Sequence, residues 1–187
     1  MPKMRLPKSS FTGKQPEAPS VADFAGMGEI TLLSKAKVLE NLLNHIEDLK
    51  GTPFEAAAKA LADKAPWVFG HINRVDTKLP AGGGMLGGFK PDRGQVMAGP
   101  LKGRTIGDIS LNPHDVDKAF QASAADVLGH EAAHGAQSLF QGAGRQAAEY
   151  QRLNNRFMGY SRNPYEHGAK KAGVNLRRAT EGKPRKR

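Results

Sequence analysis

The sequence predicts an α+β domain, mainly helical, with a short antiparallel sheet and flexible basic ends. Three features of the chain carry that prediction. Apolar residues recur at three- and four-residue steps over long stretches, the mark of amphipathic helices. Alternation and turn residues are confined to a short region between about 89 and 113. The charge is concentrated at the two ends, where no periodicity is present.

The chain has 187 residues, enough for one domain with a sizeable core and tails. It holds no cysteine, so disulfides and thiolate metal sites are excluded and any metal must be held by histidine and carboxylate. No apolar run approaches the roughly 18 residues of a membrane span. The N-terminal Met1-Pro2-Lys3-Met4-Arg5-Leu6-Pro7-Lys8 is basic and lacks the apolar core of a signal peptide. A cytoplasmic or particle-associated protein without membrane attachment is therefore expected. Of 28 Lys and Arg and 18 Asp and Glu, twelve basic and two acidic residues lie in 1–20 and 170–187, so 21–169 carries sixteen of each. Three regions follow: a flexible basic arm (1–20), a neutral body (21–169) and a polybasic tail (170–187). The tail residues Lys170, Lys171, Arg177, Arg178, Lys183, Arg185, Lys186 and Arg187 are candidates for contact with nucleic acid or an acidic partner, without sequence specificity. Solvated ends are the plainer reading of the same charges.

Taken in order, Leu32, Leu33, Ala36, Leu39, Leu42, Leu43, Ile46 and Leu49 predict a helix over about 30–49, closed at Gly51. Thr52-Pro53-Phe54-Glu55 reads as a capping box opening a second, alanine-rich helix to about Lys64. Trp67-Val68-Phe69 is a short apolar run expected to pack on these helices. Gly82-Gly83-Gly84 and Gly87-Gly88 predict mobile or tightly turned chain, and no phosphate-loop string is present. Phe89 to Val96 reads as a hairpin turning at Pro91-Asp92-Arg93-Gly94, and 105–111 as a strand. That strand could form a sheet edge able to pair with an extended peptide. Ser123 or Asp126 caps a helix running to about Phe140 and stopped by Gly142-Ala143-Gly144. A further helix, about 145–158, turns Ala147, Ala148, Leu153 and Phe157 inward. The stretch from Tyr160 to Glu166 is a turn into a last short helix.

Within the central helix lies His130-Glu131-Ala132-Ala133-His134. Residues four apart on a helix share a face, about 5–6 Å apart, so both imidazoles can aim at one point and hold Zn²⁺ at about 2.0–2.1 Å. Glu131 can then reach a metal-bound water rather than the metal. Gly129, Ala132, Ala133, Gly135 and Ala136 leave room for other elements to approach. A three-histidine continuation would need glycine at 137 and histidine at 140, where the chain has Gln137 and Phe140.

Downstream stands Asn163-Pro164-Tyr165-Glu166-His167-Gly168-Ala169. With His130-Glu131-x-x-His134, this string resembles the zincin metallopeptidases of the gluzincin kind, over roughly residues 105–169. The resemblance implies a minimal zincin-like domain with the short sheet packed on the active-site helix. It implies Glu166 as third zinc ligand, with Ala169 one turn on letting the two helices pack closely. Asn163, Pro164 and Glu166 equally spell a helix cap with a capping-box glutamate. His167 is the fallback ligand, whereas His71 and His114 suit surface or structural roles. The implied activity is hydrolysis of a peptide or protein substrate, with Glu131 as general base. Tyr160, Tyr165 and His167 are candidate transition-state donors by proximity in sequence. Asp126, one turn before His130, could orient that ligand or cap its helix. The other function class is a basic structural or nucleic-acid-associated protein, of a viral particle for example, with a structural or vestigial zinc site.

Overall fold

The computed structural model describes residues 33–91, 106–118, 122–141, 143–157 and 160–181. Helix α1 (Lys35–Asp48) is capped by Ser34, whose hydroxyl accepts the Lys37 N–H at 3.2 Å. Its buried stripe is rotated from the one expected. Leu39 and Leu43 are exposed, whereas Val38, Asn41, Leu42 and His45 face inward. The reason is polar: Asn41 donates to the Gly70 carbonyl at 2.9 Å and His45 to the Ile72 carbonyl at 3.0 Å. Those bonds make the polar face the one that docks.

Helix α2 (Glu55–Lys64) starts later than the capping box suggested. The Thr52 hydroxyl still accepts from Phe54 N–H, and the Glu55 carboxylate folds back to Gly51 N–H. The apolar run at 67–69 forms a short helix, α3 (Pro66–His71), burying Val68 and Phe69. Strand β1 (Ile72–Asp76) follows without a break. Among the described residues, strands β2 (Gly87–Pro91) and β3 (Gly107–Leu111) join β1 in a three-stranded sheet in the order β1-β3-β2.

The sheet is mixed rather than antiparallel: β3 pairs antiparallel with β2 and parallel with β1. Strand β1 lacks strict alternation, with Ile72 and Val75 buried and Asn73 and Arg74 exposed, so its sequence does not announce a strand. With β1 in place, β3 is central, and the edge toward the candidate site is β2. The return strand of the expected hairpin falls within 92–105, outside the described residues.

Helix α4 (Ala124–Gln141) opens with a reciprocal cap: Ser123 Oγ accepts from Asp126 N–H at 3.2 Å, and Asp126 Oδ2 accepts from Ser123 N–H at 3.3 Å. Helix α5 (Ala143–Phe157) follows, with Ala148 exposed rather than inward. Then come a 3-10 turn (Tyr160–Arg162) and α6 (Pro164–Glu181). The last helix is not short, and the chain beyond 169 is not a tail as far as Glu181. Ala169, Ala172, Gly173 and Leu176 form a buried stripe at helical spacing, so 170–181 belongs to the body. The arm 1–20 and residues 182–187 lie outside the described residues.

The core sits between α1–α3, the sheet and α4. Phe54, Phe69, Ile72, Ile109, Leu111, Leu128 and Leu176 are all but sealed from solvent. No helix among the described residues is long and apolar enough to cross a membrane.

Candidate metal centre

Two close approaches bring the functional side chains together. Helices α4 and α6 cross through small residues. A Cβ at Gly129 would stand 2.9 Å from Gly173 Cα, and one at Gly173 would collide with the Asp126 carbonyl oxygen. Ala133, Ala169 and Ala172 pack together one turn along. With the two backbones this near, a side chain as short as Glu166 reaches both histidines. On the opposite side, β2 lies directly on α4: a Cβ at Gly87 would stand 2.7 Å from Val127 Cγ1 and 3.0 Å from Glu131 Cγ.

Glu166 is placed by its helix start. Asn163 Oδ1 accepts the Tyr165 N–H at 3.0 Å, and Pro164 occupies the first helical position. The cap and the candidate ligand are therefore separate residues of one string. The Glu166 carboxylate turns to the histidines instead of back along its own helix. His130 Nε2 stands 3.3 Å from Glu166 Oε2, His134 Nε2 3.5 Å from Oε1, and the two Nε2 atoms 3.1 Å apart. Ligand atoms held about 2.0–2.1 Å from a tetrahedral ion stand about 3.3–3.4 Å from one another. The closest approaches, 3.1–3.5 Å, are near that spacing, each histidine facing its own oxygen of the Glu166 carboxylate. His130, His134 and Glu166 each offer one ligand atom within 4.8 Å of the others, and the group could hold a metal ion.

The donors also fit the charge of a cation. Glu166 is buried, its Oε2 has no hydrogen bond aligned on it, and its Oε1 accepts from the Tyr150 hydroxyl at 2.6 Å. Burial works against ionisation of Glu166. The imidazoles of His130 and His134 and the hydroxyls of Tyr150 and Tyr160 outweigh it, holding the carboxyl well below the usual carboxylate range. Burial likewise disfavours charge on His134, but Glu166 and Glu131 more than offset it and raise its pKa. In the metal-free chain a proton at His134 thus competes with a metal.

His134 is aimed by Gln137, a residue the sequence offered only as an exclusion. Gln137 Nε2 donates to the Tyr165 carbonyl at 3.1 Å, which turns its Oε1 toward His134 Nδ1 at 2.9 Å. Nδ1 is then the protonated nitrogen, and Nε2 is the nitrogen turned to His130 and Glu166. Tyr150 was likewise not legible from spacing, because only the tertiary placement of α5 brings its hydroxyl to Glu166. Burial first, then its bond to Glu166, pushes the Tyr150 hydroxyl up to about 12, so it remains a donor.

Asp126 does not orient a histidine. Its Oδ2 serves the helix cap and pairs with Arg177 Nη1 at 2.7 Å. Arg177, a candidate partner contact by sequence, is thereby engaged within the fold. Of the candidate donors, Tyr160 reaches the centre, its hydroxyl 3.3 Å from His130 Nε2, and its pKa is raised by burial and by Glu166. Tyr165 is buried with its ring 6.3 Å from that of Tyr150 and supplies its carbonyl to Gln137. His167 is exposed and outside the three-residue cluster. His71 is buried and structural, and His114 is exposed.

Glu131 stands beside the cluster without joining it. It is buried on α4 and accepts from the Phe89 backbone N–H of β2. Burial raises its pKa, the Glu166 charge adds to that, and the two histidines pull in the other direction. A cleft of about 550 Å³ opens over Glu131 and His130, between the loop that leads into β2 and the 170–177 stretch of α6. The loop is fixed by Asn112, whose amide donates to the Pro80 and Met85 carbonyls at 2.9 and 3.1 Å, and by Asp115, which accepts from Gly82 N–H at 2.7 Å. The glycines there are tightly turned, with φ of +74° at Gly82 and +73° at Gly84.

The chain matches no known protein family, no characterised protein and no solved structure.

Proposed function

We propose that the chain is a zinc-dependent metallopeptidase of the gluzincin kind, with His130, His134 and Glu166 as ligands and Glu131 as general base. One observation supports this above the rest: two histidines and one carboxylate that each offer a ligand atom within 4.8 Å of the others, with a second carboxylate, Glu131, close beside them and outside the ligand set. A structural site is closed by four protein ligands, whereas a set of three leaves a position for water, and His130 and Glu131 line the cleft beside this one.

A bound zinc lowers the pKa of a coordinated water toward about 7 and polarises a carbonyl oxygen. The protein's part is proton handling and placement. Glu131, buried and of raised pKa, is tuned to accept a proton and return it to a leaving amine. Tyr160, protonated and beside His130, is the donor placed for charge developing on a carbonyl oxygen. Among the described residues β2 is an edge strand, and an extended peptide would pair with backbone groups of it that Glu131 does not occupy.

The test compares the native chain with Glu131→Gln at matched zinc occupancy. Hydrolysis of a mixed peptide set is expected to fall by at least about 10²-fold in Glu131→Gln, with zinc retained. Equal hydrolysis in the two proteins would remove Glu131 from the reaction.

A further inference from the structure

Helix α6 carries more than the third ligand into the cleft. Glu166, Lys170, Val174 and Arg177 follow one another at helical spacing, and the last three line the cleft wall. The charges on this wall are not equivalent. Arg177 is paired with Asp126 at 2.7 Å. Glu131 and Glu166 together would balance a divalent cation held at the centre. That leaves Lys170, which is exposed and makes no ion pair among the described residues. Its ammonium sits 5.5 Å from the centre of the Tyr160 ring, whose hydroxyl is 3.3 Å from His130 Nε2. The surroundings are otherwise apolar, with Leu86, Val127 and Val174 in the lining.

We infer that Lys170 is a specificity-determining residue that recognises a carboxylate of the substrate close to the scissile bond. This rests on the hydrolytic reading of the same centre. One turn of helix places Lys170 about 6 Å beyond Glu166 along the axis. An extended peptide covers that distance in about two residues, at about 3.3 Å each. An acidic side chain within about two positions of the cut, or a free C-terminal carboxylate there, brings a negative charge to the uncompensated ammonium. Apolar residues farther along find Leu86, Val127 and Val174. The preference arises from placement of one charge, because the other cation of the wall is already neutralised.

The test uses the full chain, zinc-loaded, and two sets of synthetic peptides. One set has an amidated C-terminus and a single Asp or Glu walked along a neutral sequence. The other has a free C-terminus and no acidic side chain. Cleavage read by mass spectrometry is expected to favour one set by about two- to fivefold over amidated neutral peptides, the scale of a solvent-accessible ion pair. Which set is favoured identifies the source of the carboxylate. The preference should vanish in Lys170→Ala and reverse in favour of the amidated neutral peptides in Lys170→Glu. A second readout is independent of turnover: the favoured peptide, fluorescently labelled, should bind zinc-loaded Glu131→Gln more tightly than the same protein carrying Lys170→Ala. Cleavage without acidic preference, or a preference unchanged in both Lys170 variants, overturns the assignment and leaves the hydrolytic reading standing. No cleavage of any peptide at full zinc occupancy defeats that reading and this assignment with it.

Discussion

At Glu166 one carboxylate meets two imidazoles and two phenols, and each neighbour does something different. His130 and His134 share its charge, Tyr150 fixes its rotamer through a 2.6 Å bond, and Tyr160 reaches over His130 toward the cleft. Groups that orient ligands in this way carry about 10–100-fold in metal affinity. Tyr150→Phe should therefore weaken zinc binding by about tenfold, measured by competition with a chelating dye, while the fold stays intact. Gln137→Leu should act in the same direction, because it removes the acceptor that holds His134 in its ligating tautomer. An affinity unchanged in both variants would show that neither residue positions a ligand. The two histidines were legible from spacing alone, since a four-residue step on one helix fixes their common face, and Glu131 from its place directly after the first of them. Tyr150 and Gln137 were not, because their roles depend on where α5 and α6 come to lie.

Between elements, the crossing of α4 and α6 sets the geometry of the centre. Gly173 lies against the backbone of Asp126, so any side chain there must push the helices apart. Gly173→Val is expected to destabilise the fold by about 1–3 kcal/mol or more, seen in urea unfolding, and to cost zinc affinity even where the protein still folds. A stable variant with unchanged affinity would show that the separation of the helices does not control the ligand triangle. The small residues around 129–136 and at Ala169 announced this contact in the sequence. The length of α6 was hidden because Lys170, Lys171, Arg177 and Arg178 raise the charge of a segment whose Ala169, Ala172, Gly173 and Leu176 are nonetheless buried. Strand β1 was hidden for the converse reason. Five residues with two buried side chains make no periodic signal, and its pairing with β3 is parallel and distant in sequence.

For the molecule as a whole, two buried histidines tie the N-terminal helices to the sheet. His71 Nδ1 donates to the Trp67 carbonyl at 2.6 Å while its Nε2 accepts from Leu33 N–H, an arrangement that only the neutral ring can make. His45 donates to the Ile72 carbonyl. Burial lowers the pKa of both below 6.5. The unfolded chain then binds more protons than the folded chain just below that value, so these two residues make stability fall as pH drops through about 6.5. His134, whose pKa is raised, acts in the opposite sense in the metal-free chain. The clean comparison is therefore metal-free native protein against His71→Gln, which keeps a donor and an acceptor. Urea midpoints between pH 7.5 and 5.5 should fall less in the variant. An equal or steeper fall in His71→Gln contradicts this account of His71. Nothing in the sequence separated His45 and His71 from surface histidines, since what distinguishes them is the backbone group each one meets across the fold, the Ile72 carbonyl for His45 and the Leu33 N–H for His71.

The metal is the most exposed point of the account, and its stoichiometry can be measured directly. Protein prepared free of metal and titrated with zinc should bind one equivalent. Binding should persist in Glu131→Gln and be lost in His134→Ala and Glu166→Ala, with all four proteins folded by circular dichroism. The absence of a stoichiometric site in the native chain, or full zinc binding by Glu166→Ala, would contradict the ligand set on which the proposed chemistry depends.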